Sequence, residues 1–464
     1  MTYDLVIKNG LVVTASARYA ADIGVREGRI AAIADDLHGA LELDARGCYV
    51  IPGGVDIHVH MQMPLGEDLI SADDFFTGTR AAAFGGTTAI IDFVEPEPDE
   101  SLLQALAKRR AEADPRVVID YGLHMTLGPA QMSRLDEAPA AYNMGCGSFK
   151  LYMAYDFRLY DGQLMQAMEA VRDAGGWPVI HAENWDVITT LVRRNLAAGR
   201  TSPHWHPRSR PAALEGEAAG RAIDIANYIK TPLHIFHVSC HSVVERISAA
   251  RAAGWPISGE TCPQYLFLTE DAYDTPGVEG TLPVCAPPLR PQKDQDALWL
   301  ALARNDLQLV TTDHCPFTRA QKARGQDDFS KIPGGVPAIE MRLAGVYQGV
   351  VRGVFSLNRW VELCSAAPAR LAGLNRKGDI AIGYDADLVI FDPERRVTLS
   401  TDFLHENVDW TPFEGLELQG WPRVTINRGE IIVQDGEFLA KAGRGRFVSR
   451  RYDSLSPHAL FSHA

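Results

Sequence analysis

The chain has 464 residues, long enough for one large domain and a smaller one. Hydrophobic residues make up 46% and charged residues 22%, an ordinary balance for a globular enzyme, and the net charge of −14 disfavours nucleic acid and anionic membrane as partners. Residues 1–10 show no basic flank leading into an apolar run, no apolar stretch nears the roughly 20 residues of a membrane span, and seven scattered cysteines form no Cys-x-x-Cys pair, so the expectation is an untargeted protein with free thiols in the cytoplasm.

In chain order, residues 3–8, 10–13, 21–26, 29–33 and 42–44 read as short strands separated by turn signals. The rhythm changes at Val55. Apolar strand-like runs at 55–60, 88–93, 118–126, 148–155, 178–182, 233–239, 256–261 and 307–313 now alternate with other segments. Those at 73–84, 102–113, 162–174, 214–228, 242–252 and 294–304 have helical periodicity. Eight such runs predict an α/β fold, a (β/α)8 barrel of the TIM type. A doubly wound open sheet is the structural alternative, weakened because no Gly-rich dinucleotide fingerprint follows the first run. Beyond residue 378 the small-sheet pattern returns at 386–392 and 424–433, with Asp435-Gly436 as a hairpin signal. The expected organisation is a β-sandwich domain made from 1–50 and 378–440, a barrel over 51–377, and a tail over 441–464. That tail reads as an arm on a neighbouring subunit or as disorder.

Function in such barrels gathers where the strands end. His58 and His60 close the first run and alternate onto one face. Lys150 lies in the fourth run, His181 ends the fifth, His237 lies near the end of the sixth, and Asp313 ends the eighth. Any one of these has a structural explanation. Together they are four imidazoles, a carboxylate and a lysine at one rim, a donor set suited to zinc or a similar divalent ion. Two such ions side by side need a bridging anion. A neutral Lys150 amine can supply one by taking up carbon dioxide as a carbamate. His124, His234, His241 and His314 read as structural or supporting residues, with His234 on the opposite face from His237 if the strand is regular. His204 and His206 carry no clear signal, and Cys315 reads as a small buried hydrophobe.

These same residues resemble the cyclic amidohydrolases, in particular the hydantoinase and dihydropyrimidinase branch, over nearly the whole chain. The matching segments include Pro52-Gly53-Gly54-Val55-Asp56-Ile57-His58-Val59-His60, Ser148-Phe149-Lys150, His181-Ala182-Glu183-Asn184, Glu260-Thr261-Cys262-Pro263-Gln264-Tyr265 and Thr312-Asp313-His314-Cys315. The resemblance implies two zinc ions, His58, His60 and Asp313 on one, His181 and His237 on the other, and carboxylated Lys150 between them. It also implies hydrolytic ring opening of a small cyclic amide, Asp313 as proton carrier, Tyr155 as oxyanion donor, and a homotetramer. Two positions that hold substrate through backbone groups depart from the family pattern. Ala286 stands where Ser precedes Pro-Pro-Leu-Arg, and Gly334 stands where Asn is usual. Segment 156–161 is shorter than in typical dihydropyrimidinases and nearer to phenylhydantoin-type enzymes. Dihydroorotase is disfavoured because Gln62 replaces the expected Arg after the His pair, and allantoinase because its Pro-Gly-Arg is absent. A non-catalytic scaffold is disfavoured because all six ligand positions are retained.

Overall fold

The computed structural model describes residues 2–452 except Glu67. Eight parallel strands form the central sheet: Gly54–Asp56, Thr87–Val94, Asp120–Leu127, Ser148–Tyr152, Trp177–His181, Leu233–Ile235, Ile257–Thr261 and Leu309–Val310. Neighbours follow chain order without reversal, which rules out the doubly wound alternative. A parallel bridge from Val59 to His314 brings the first and last strands together and nearly closes the barrel.

The helices between strands sit close to their predicted spans because their start signals are local. Ser101 and Gln104 form a reciprocal capping box for Leu102–Ala113, and Asp74 with Thr77 does the same for Phe75–Phe84. Four strands are shorter than the apolar runs predict by three residues or more, and the fourth of the eight ends at Tyr152. The first, sixth and eighth stop before His58, His237 and Asp313, and the last two residues have φ of 39° and 50°, which no strand ladder accommodates.

Both chain ends build strand-rich sheets beside the barrel. Tyr3–Lys8, Asp22–Arg26, Arg29–Ala34 and Gly39–Asp44 make a four-stranded sheet. In a seven-stranded sheet, Tyr49–Pro52 pairs antiparallel with Leu388–Thr398, which joins the two ends. Leu5, Ile7 and Val12 share one buried cluster with Leu388, Val424 and Ile426. Asp435 and Gly436 both have positive φ, as a two-residue hairpin between Glu430–Gln434 and Glu437–Phe438 requires. Of the tail, 441–452 packs on this chain's own barrel: Tyr121 N–H donates to the Arg446 carbonyl at 2.9 Å and Val448 N–H to the Tyr121 carbonyl at 2.7 Å. The remainder, 453–464, lies outside the described residues.

Candidate metal centre and active-site cavity

His58, His60, Lys150, His181, His237 and Asp313 all line one cavity of ≈ 850 Å³. His58 Nε2 and His60 Nε2 each stand 3.1 Å from Asp313 Oδ1. The other ring nitrogen of His58, Nδ1, is 2.6 Å from Glu260 Oε1. Burial works to raise Glu260, but His58 and His234 outweigh it and hold the carboxyl at about 2. An ionised carboxylate only accepts, so His58 carries its proton on Nδ1. Its Nε2 lone pair then faces the Asp313 carboxylate, and this nitrogen has no hydrogen-bond partner among the described residues. A proton on Nε2 or a bound cation relieves this contact, and the donor set of His58, His60 and Asp313 suits a divalent ion.

The second pair sits alongside. The His181 and His237 rings are 4.6 Å apart, and His237 Nδ1 is also a buried nitrogen without a partner among the described residues. His181 Nε2 donates to Glu183 Oε2 at 2.8 Å, and Glu183 is tied in turn to Arg210. Burial would raise Glu183, yet Arg210 and His181 keep it at about 2. His181 Nδ1 is thereby left as the free donor atom.

Lys150 is 1% exposed. Its Nζ lies 4.0 Å from the Phe236 ring centre and 4.9 Å from that of Tyr152. No carboxylate lies within ion-pair distance of it among the described residues. Burial brings the amine down to about 7, against the pull of Asp313, Glu260 and Glu95. A large share is therefore neutral at physiological pH, the form that reacts with carbon dioxide.

Tyr155 has φ of 72°, and its ring packs 5.3 Å from both His181 and Trp185. Burial raises its hydroxyl above the usual range, so it stays protonated and able to donate. Ala286 and Gly334 line the same cavity from two loops that touch: a Cβ on Gly334 would lie 3.9 Å from Ala286 N. His206, which carried no signal, belongs to this wall and bonds the Cys285 carbonyl at 2.8 Å through Nε2. Cys315 is buried and lines the cavity as well.

The expected opposite orientation of His234 is not found. Its Nε2 lies 3.0 Å from Glu260 Oε2, so His234 and His58 grip the same carboxylate. The alternation rule fails here because the strand ends at Ile235 and the backbone turns at His237. His124 is a support, with Nε2 2.8 Å from the Ile57 carbonyl, and His314 is another, 2.9 Å from Asp73. His204 bonds Asp274 away from the metal ligands, and His241 pairs with Glu245 on the surface. Sequence reasoning did not assign Glu260 and Glu183 as the groups that orient His58 and His181. The signal was present for Glu260, since a carboxylate inside an apolar strand-like run needs a buried partner, whereas Glu183 lies just past its run.

The family model described as "Amidohydrolase family" matches residues 49–432. A D-hydantoinase of Streptomyces coelicolor is 44% identical over 461 residues, covering 97% of this chain and 98% of its own. The solved D-hydantoinase of Bacillus sp. AR9 superposes with a TM-score of 0.94 at 45% identity, covering 97% of this chain and 99% of its own. A dihydropyrimidinase of Brevibacillus agri gives 0.94 at 42% identity, with coverage of 96% and 98%. The chain belongs to the amidohydrolase family. Among the described residues, no helix is long and apolar enough to cross a membrane.

Proposed function

We propose that this protein hydrolyses cyclic amides or ureides, hydantoins or dihydropyrimidines, to N-carbamoyl amino acids. The observation that carries this reading is the meeting of His58, His60 and Asp313 with His181, His237 and Lys150 in one cavity beside Tyr155. The hydantoinase and dihydropyrimidinase names of its relatives support it. The residues fit two divalent ions, zinc by donor type, with carboxylated Lys150 as the bridge. When bound, such ions polarise the ring carbonyl and acidify the attacking water.

The chain's own groups complete the reaction. Asp313 takes the proton of the attacking water as a C–O bond forms at the ring amide carbon. The Tyr155 hydroxyl donates to the oxygen that gains charge. Asp313 then delivers the proton to the ring nitrogen as the C–N bond breaks. The Ala286 and Gly334 backbones hold the ring. Gln62 hydrogen-bonds Arg116 and Glu112 and is not part of the cavity wall, which argues against a dihydroorotase-like carboxylate grip. Seven buried, unpaired cysteines support a reducing cytoplasm, and the family resemblance supports a homotetramer.

The test is ring opening of dihydrouracil, hydantoin and 5-substituted hydantoins by purified protein, followed by loss of ultraviolet absorbance. About two metal ions per chain are expected. Asp313→Asn should lower kcat about a hundredfold to ten-thousandfold while the fold persists. Near-wild-type turnover by that variant would overturn the role given to Asp313, and a fully metal-loaded wild type inert on every ring would overturn the function.

A further inference from the structure

The cavity wall carries two carboxylates, Asp313 and Glu95. Asp313 is committed to His58 and His60. Glu95 has no such commitment. It follows the second barrel strand (Thr87–Val94) by one residue, and Phe93, two residues earlier, stacks on His60 at 4.4 Å. Alternation therefore places Glu95 on the inward face, one layer above Phe93 and toward the mouth. Lys150 and Tyr152 are close enough for its charge to bear on theirs. The neighbouring guanidinium, Arg109, is engaged by Asp92 and Glu112 instead. Among the described residues Glu95 forms no ion pair. Thr126 and Lys150 are the donors near it, and the same cavity is lined by the apolar side chains of Met63, Leu65, Phe157 and Ile332.

This carboxylate is solvent-exposed in the open cavity, and a substrate that fills the cavity replaces that water with its own groups. We propose that Glu95 is a specificity-determining residue that receives a hydrogen-bond-donating or cationic substituent of the ring substrate and turns away anionic ones. This deepens the ring-opening reading and rests on it. Arg210, the cation that could recruit an anionic substituent from deeper in the cavity, is already held by Glu183. Arg193 at the wall bonds the Thr189 carbonyl of its own helix. At pH 8 a solvent-exposed carboxylate is ionised and an alkylammonium keeps its proton, so both partners of the pair are charged.

The probes are a hydantoin bearing an aminobutyl chain on C5, its pentyl isostere, and a hydantoin bearing a carboxyethyl chain. Binding to the metal-loaded protein is measured by calorimetry at pH 8, alongside kcat/KM for each ring. Wild type should bind the aminobutyl probe about tenfold or more tighter than the pentyl one, and the carboxyethyl probe most weakly. In Glu95→Gln the aminobutyl-to-pentyl ratio should fall about tenfold and the carboxyethyl probe should gain. Equal affinity of wild type for the aminobutyl and pentyl probes overturns the proposal without any variant. An unchanged ratio in a folded Glu95→Gln overturns it too. Selective binding with no ring opening leaves Glu95 supported and overturns the reaction assigned to the site, so the two failures are told apart.

Discussion

Tyr155, His237 and Asp313 face the cavity with φ of 72°, 39° and 50°, a region that side chains with a Cβ rarely adopt. Each such residue costs on the order of 1–3 kcal/mol, a cost that persists where the surroundings impose it. Here the turn aims the side chain inward at the point where the strand would have sent it along the rim. The adjacent glycines divide by the same logic. Gly335 has φ of 143°, and a Cβ there would collide with the Cys315 carbonyl. Gly334 has no positive φ, and its nearest neighbours, Ala286 N and Cys285 Cα, leave room at 3.9 Å. Gly334→Ala should therefore be neutral or stabilising by about 0.4–1 kcal/mol, through a less flexible unfolded chain. Gly335→Ala should destabilise by more than that, on the order of 2 kcal/mol. Urea unfolding at fixed metal concentration measures both, and equal effects at the two positions would contradict this division.

At the scale of elements, the wall that presents Ala286 is held from three directions. The Val284 carbonyl accepts from Gly335 N–H at 2.9 Å and from Lys322 Nζ at 2.7 Å, and the Cys285 carbonyl accepts from His206. Lys322 is fully buried, and burial lowers its amine to about 7 although Cys285 and Cys315 oppose this. An unfolded lysine titrates near 10.4, so between about pH 7 and pH 10 the unfolded chain binds more protons. This group therefore makes stability rise with pH across that window. Lys322→Met should flatten the rise, gaining on wild type at pH 7 relative to pH 10. KM for hydantoin should increase several-fold more than kcat falls, because the ring-holding loop slackens. Parallel stability profiles for the two proteins at pH 7 and pH 10 would rule out the buried amine as their cause.

This lysine marks where the sequence stops being informative. In Arg319–Ala323 it reads like any helix-surface lysine, and only the fold places Val284 beside it. The six side chains that meet at the cavity were legible because His58, His60, Lys150, His181, His237 and Asp313 each break an apolar pattern in or near a strand. Leu102–Ala113 was legible because its cap is written in four adjacent residues. His234 was not, since its orientation depends on a backbone turn two residues beyond its strand. Glu95 was equally hidden, as an acidic residue after a strand looks like ordinary solvent-facing punctuation.

Over the whole molecule, the end of the barrel opposite the metal ligands is closed by the chain's own tail, through Arg450. This guanidinium is 0% exposed and donates to Ser148 Oγ at 2.8 Å and to the carbonyls of Leu123 and Ala372. Arginine cannot accept, so the Ser148 hydroxyl donates its hydrogen bond to His124 Nδ1, 2.6 Å away. Burial and Arg450 hold His124 well below the usual imidazole range, leaving it neutral. Its proton therefore sits on Nε2 and reaches the Ile57 carbonyl at 2.8 Å, one peptide before His58. Residues far apart in the chain thus fix one tautomer beneath the metal centre. Arg450→Met removes the donor shared by Ser148, Leu123 and Ala372, and leaving buried acceptors unpaired costs about 1–3 kcal/mol each. The loss should appear as a lower Tm and faster proteolysis within 444–452. Turnover at 25 °C with excess metal should stay within about threefold of wild type, since the chemistry occurs at the other end of the barrel. A variant with unchanged Tm and an unchanged protease pattern would mean that the tail is not what closes this end. A normal Tm with metal lost from His58 would mean instead that the Ser148–His124 relay matters more to the site than to the fold.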